Sequence, residues 1–227
     1  MSFHSFYNTW IEQLWQLQLQ LRQALPTLTA EEQHHQLRNL VQKLMFHYEE
    51  YYRVKSSSAN YDVLSLFSAP WTSVLERSLH WIAGWRPTTA FHLIYSESSI
   101  LFESHVVDIL RGRGTGDLGD LSPGQFRRVS ELQCETVQEE NDITDELSEW
   151  QEGANYLAGT YDDIDRKIER LAGILVKADE LRLKTIKNLV ELLTPKQAAE
   201  FFIAAAELHF GIRGWGLEQD RRSYIRQ

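Results

Sequence analysis

Trp81-Ile82-Ala83-Gly84-Trp85-Arg86-Pro87-Thr88 reads as a corner between two helices. Upstream, Ser73 and Glu76 form an S-x-x-E capping box, and Leu75, Leu79 and Ile82 share one face of the helix it opens. Gly84 suits the position just past a helix end, where glycine takes a left-handed backbone at little cost. Pro87 suits the first turn of the next helix, where its missing N–H does no harm. Phe91, Ile94 and Tyr95 carry the apolar face onward, and Leu101 to Leu110 gives a further helical run. The indoles fill the corner, and Arg86 is placed to bond the last carbonyls of the preceding helix.

The same grammar extends in both directions. Phe3, Tyr7, Trp10, Leu14, Leu17 and Leu21 alternate spacings of four and three, and Pro26 stops that helix. Thr29 and Glu32 form a T-x-x-E box opening a second helix, with Leu37, Val41, Leu44, Tyr48 and Tyr51 on its inner face. It ends near Val54, and a flexible connection is expected over 55–70, where Lys55-Ser-Ser-Ser58 begins. A second loop is expected over 111–121, where RGRGTGDLG carries four glycines. Ser122 and Pro123 restart a helix whose stripe, Phe126 to Trp150, is polar in the middle at Gln133, Thr136 and Glu140, which predicts weak packing there. Gly153 to Gly159 makes a turn, Thr160 caps a long helix with Ile164 to Leu192 inward, and Thr194 and Gln197 box the next. Gly211, Gly214 and Gly216 loosen the end. No strand alternation appears. The expectation is one all-α domain over 1–227, a bundle of about seven to nine helices, several of them long.

Composition excludes several function classes. A formal net charge of −9 argues against gripping nucleic acid across a broad face. The first thirty residues hold Arg22 and no lysine, so no basic helix is offered to a major groove. One cysteine, Cys134, rules out an intramolecular disulfide and a cysteine-based zinc site. No run approaches the ~18 apolar residues of a membrane span, and no secretion signal is read at the start. Nucleus and cytoplasm are the expected setting. Glu32 and His35 have the E-x-x-H spacing of di-iron bundles, but no second copy completes such a site, and Glu32 is accounted for by the capping box. No catalytic constellation and no metal set emerges, so no enzyme is expected. The stripes Phe3–Leu21 and Ile164–Leu192 can pair with a second copy as a coiled-coil dimer; off-stripe apolar residues favour packing inside the bundle.

The corner residues Trp81 to Thr88 resemble the W-[IM]-G-G-x-R-P-[ST] signature of the plant Delay of Germination domain, which also forms the C-terminal half of TGA bZIP transcription factors. Ala178-Asp179-Glu180-Leu181-Arg182 is similar to that family's A-D-x-L-R run, and Leu193 to Ala199 to its L-[TS]-x-x-Q-[AG]-A segment. The likeness covers the chain from about Phe6 to Arg222 and is nearer the stand-alone members. It implies a regulator in seed dormancy, abscisic acid signalling or transcription, acting on a protein partner such as a clade A type 2C protein phosphatase or a transcription regulator. The family's D-S-Y-L-E-W phosphatase motif aligns with Ser5 to Trp10, so the implied partner-binding residues are Ser5, Tyr7 and Trp10, with both acidic positions replaced. The motif residues Trp81, Gly84, Trp85, Arg86 and Pro87 are read as mainly structural. A late H-x-x-x-H linked to haem aligns with His209 and Arg213. Haem through His209, or another apolar small molecule, is therefore the alternative: a sensor built on the same bundle.

Overall fold

The stripe from Phe3 to Leu21 forms the first helix as its period requires. In a computed structural model that describes residues 2–25, 30–153 and 161–225, α1 spans Phe3–Ala24 and buries Tyr7, Trp10, Leu14 and Leu21. Ser2 caps it, accepting from the Ser5 amide at 3.3 Å. The remaining helices are α2 (Ala30–Ser68), α3 (Val74–Ser78), α4 (Thr88–Leu110), α5 (Pro123–Glu152), α6 (Tyr161–Leu192) and α7 (Pro195–Ile225). No strand occurs among the described residues. The architecture is thus an all-α bundle with several long helices. Pro26, the Thr29 box, the turn after Gly153 and the Thr160 cap lie at or beyond the edge of the described residues.

Three expectations are corrected. The connection over 55–70 is helix as far as Ser68, with a kink at Asp62 whose carboxylate accepts from the Ser65 amide at 3.0 Å. Ser57 and Ser58 do not break α2, because their hydroxyls donate back to the Arg53 and Val54 carbonyls at 3.0 and 2.9 Å. The glycines near the end do not loosen α7. Gly216 is buried where α7 meets the cap of α3, and a Cβ there would overlap Ser73. The polar middle of α5 is not weakly packed, since Thr136 and Glu140 are buried. The 112–117 stretch is irregular, followed by a single 3-10 turn at Leu118–Asp120 that presses on α4.

α1 lies on α2 and α7, α2 on α6 and α7, and α5 pairs with α6. One core runs between them. A second, smaller cluster of Ile82, Ile143, Ile174, Ala178 and Leu181 supports the corner from beneath. That cluster holds the segment between α3 and α4 over the bundle.

Candidate functional site

The corner is a tight turn. Trp81 N–H donates to Gly84 O at 2.7 Å and Gly84 N–H to Trp81 O at 3.3 Å. Its central residues, Ile82 and Ala83, have φ of 44° and 56°, a left-handed conformation that disfavours a β-branched side chain in particular. Here the expected arrangement is corrected. The preceding helix ends at Ser78, and Gly84 does not take the left-handed position. Glycine is needed at 84 for room: a Cβ would sit 3.0 Å from Arg182 Cζ.

The strain is held by charge. Arg182, with no exposed side-chain surface, donates to Trp81 O, to Ile82 O at 2.9 Å and to Trp85 O at 2.7 Å. Lys55 Nζ donates to Ala83 O at 2.8 Å and to Asp179 Oδ1 at 3.0 Å, and Asp179 also accepts from Arg182. Four corner carbonyls therefore receive charged donors from α2 and α6, each such bond contributing about 1.5–3 kcal/mol. Burial pushes Lys55 down to about 8; Asp179 opposes this and Arg182 adds to it.

Arg86 does not bond the last carbonyls of the preceding helix; the arginine that bonds carbonyls here is Arg182, and those carbonyls belong to the corner itself. Arg86 is half-exposed and pairs with Glu140 of α5 at 2.7 Å. The buried Glu140 carboxylate also accepts from Thr88 N–H at 2.6 Å and Thr88 Oγ1 at 3.2 Å. It caps α4 from a neighbouring helix, because Pro87, buried at the N-cap, has no side-chain acceptor. Trp81 donates to Thr144 at 3.0 Å and Trp85 to Tyr52 at 2.9 Å.

Behind the corner lies a cavity of about 450 Å³, walled by rings from α1, α2 and the corner and flanked by α7. Tyr51, Tyr52, Trp71 and Trp85 line it, with Lys55, Glu76, Arg86, His80 and His209 among its polar members. Burial raises Tyr7 to about 12 and lowers His80 and His209 to about 4 each. The cavity wall therefore combines neutral rings with the buried Lys55 amine, the Glu76 carboxylate and the Arg86 guanidinium.

Of the residues expected to meet a partner, only Ser5 is exposed. Tyr7 and Trp10 are each 3% exposed, and the expectation that their rings form a contact surface is corrected. Tyr7 bonds His209 Nε2 at 3.4 Å, and Trp10 is fastened to α2 through His47. His209 does lie on the cavity wall, but the haem expectation does not fit. Iron on Nε2 would have to displace the Tyr7 hydroxyl, and one turn on, Arg213 lies over the Tyr7 ring and near Glu76 at 3.4 Å. Among the described residues no group of three His, Cys, Asp or Glu side chains is placed to hold a metal ion, and no helix is long and apolar enough to cross a membrane.

Sequence reasoning missed Lys55 and Glu140 and gave Asp179 and Arg182 no role. The available signal was the Asp179/Arg182 pair at i, i+3, flanked by the buried Ala178 and Leu181. The three quoted motifs serve one framework: the second braces the first, while Thr194 and Gln197 of the third cap α7, and Gln197 holds Asp117 O at 3.2 Å.

A protein-family model described as "Seed dormancy control" (DOG1) matches residues 17–96, which include α2, α3 and the corner. Protein DOG1-like 4 of Arabidopsis thaliana is 30% identical over 249 residues, covering 98% of this chain and 94% of the relative. Protein DOG1-like 3 of the same plant is 28% identical, covering 90% and 80%. The bZIP transcription factor TGA10 of Nicotiana tabacum is 31% identical over 93% of this chain and 40% of its own length.

Proposed function

The chain belongs to the DOG1-like family of seed dormancy control, and we propose that it is a non-enzymatic plant regulator that acts by binding a protein partner in the nucleus and cytoplasm. The partner is a transcription regulator or a clade A type 2C protein phosphatase of abscisic acid signalling. Similarity to TGA transcription factors supports the first of these settings.

The observation that carries this reading is a groove of about 920 Å³ between α1 and α2. Trp15 on one wall is 50% exposed and Phe46 on the other 61%. Each helix already buries an apolar stripe on its other side, so these two rings add little to the core. Aromatic anchors of this kind dominate binding at protein interfaces. Ser5 and Thr9 lie on the exposed side of the same helix, with Tyr7 and Trp10 holding it from behind. Co-precipitation with type 2C phosphatases and with TGA factors tests the surface. A Trp15→Ala, Phe46→Ala double variant with an unchanged helical spectrum is expected to lose most of the recovery. Equal recovery by wild type and variant would remove the groove as the binding surface.

A second reading, a sensor for an apolar small molecule, is supported by the aromatic cavity behind the corner. Native mass spectrometry of protein isolated from plant tissue tests it: a bound mass lost on denaturation supports the reading, and bare protein counts against it.

A further inference from the structure

We propose that Lys55 captures carbonyl compounds: its amine condenses with an aldehyde held in the aromatic cavity, and Asp179 serves as counter-ion to the iminium formed. This rests on the sensor reading and names its ligand class.

Lys55 lines the cavity, and its side chain is 2% exposed. A neutral amine has two N–H bonds and one lone pair. Ala83 O at 2.8 Å and Asp179 Oδ1 at 3.0 Å take the two hydrogens, leaving the lone pair for an electrophile. Burial holds the group near 8, so about a tenth of it is neutral at pH 7, far more than for an exposed lysine. Asp179 Oδ2 is buried without a hydrogen-bond partner, and so is His80 Nδ1 on the cavity wall. The carboxylate is thus available to a delocalised cation and the imidazole to a proton in transit. The rings of Tyr52 and Trp85 suit an unsaturated or aromatic aldehyde body, and Leu79 and Leu208, 55% and 41% exposed, mark the mouth.

The amine attacks the carbonyl carbon, a C–N bond forms, and the oxygen takes a proton. Nitrogen gives up a proton to the carbinolamine stage. The hydroxyl takes a second proton, the one Lys55 gave up on becoming the free amine; the C–O bond then breaks, water leaves, and the nitrogen lone pair closes the C=N bond. Nothing is oxidised or reduced. The iminium nitrogen keeps one N–H in place of the ammonium's three, so Lys55 must release Ala83 O or Asp179. Release of Ala83 O frees a turn held at positive φ, while Arg182 keeps its grip on Trp81, Ile82 and Trp85. Capture is thereby read out as a change at the corner.

The full-length protein is incubated with cinnamaldehyde and cyanoborohydride at neutral pH, and the reduced adducts are located by peptide mass spectrometry. Cinnamyl alcohol, which cannot condense, is titrated separately by quenching of tryptophan fluorescence. Expected are labelling of Lys55 at least about tenfold above the exposed Lys43, Lys177 and Lys184, and protection of Lys55 by the alcohol. Quenching by the alcohol without label on Lys55 overturns capture and leaves the sensor reading standing. Neither quenching nor label on Lys55 overturns both. The readout is on wild-type protein, so it does not depend on a Lys55 variant folding.

Discussion

Trp10 and His47 bind each other twice: the Trp10 indole donates to the His47 carbonyl at 3.0 Å, and His47 Nε2–H donates to the Trp10 carbonyl at 3.0 Å. The rings lie parallel, 4.8 Å apart. Each side chain satisfies the other's backbone, so the pair is a cross-link between α1 and α2. This explains why an aromatic residue that resembles part of a contact motif is buried. Trp10→Phe keeps most of the apolar area and removes one bond, so it should destabilise by about 1–2 kcal/mol. Urea denaturation would measure this, and a variant as stable as wild type would argue against the cross-link.

The two arginines near the corner differ in kind. Arg182 is fully buried and bonds three carbonyls and Asp179, whereas Arg86 is half-exposed and bonds one carboxylate that has other donors. Arg182→Met leaves buried carbonyls and Asp179 short of donors and should lose about 3–5 kcal/mol or fail to fold. Arg86→Met should lose about 1–2 kcal/mol. Their order in thermal melts is the check; equal losses would deny Arg182 its bracing role.

Much of this was legible because it is local. The α1 stripe, the Ser73/Glu76 box and the Thr194/Gln197 box depend on residues three or four apart, and each forms. What was not legible depends on distant partners. Lys55 follows the helix its neighbours belong to, but its burial is decided by Asp179, 124 positions away. Glu140 looked like a gap in a stripe because the helix end it caps lies 52 positions upstream. Gly84 and Gly216 resembled breakers, yet each makes room for a side chain from elsewhere, Arg182 and Ser73 respectively.

Acid should destabilise the bundle through its histidines. Burial lowers His80 and His209 to about 4, aided at His80 by the charges of Lys55 and Arg182 and at His209 by Arg213, with Glu76 opposing at both. In the unfolded chain these groups titrate near about 6.5. Between those values the unfolded state binds protons that the folded state refuses, so stability falls as pH drops through the window. Melting temperature followed from about pH 7 to about pH 4.5 should fall, and His209→Gln should flatten the fall. An identical slope in the variant would exclude His209 as a contributor.

Glycine at the corner should be tolerated where glycine in a helix is not. Ala83 sits at φ 56°, a conformation that costs an L-residue about 1–2 kcal/mol. Ala83→Gly relieves that strain. It also loses part of a buried methyl group, about 0.8 kcal/mol when complete, and adds about 0.4–1 kcal/mol of unfolded-chain entropy. These opposing effects nearly cancel, so the variant should lie within about 0.5 kcal/mol of wild type. Ala178 is equally small and fully buried, but lies inside α6 on helical backbone. Ala178→Gly has no strain to relieve and should lose at least about 1 kcal/mol. Paired urea titrations decide the matter: if both substitutions destabilise equally, Ala83 is not strained and the brace of Arg182 and Lys55 does not hold a left-handed turn.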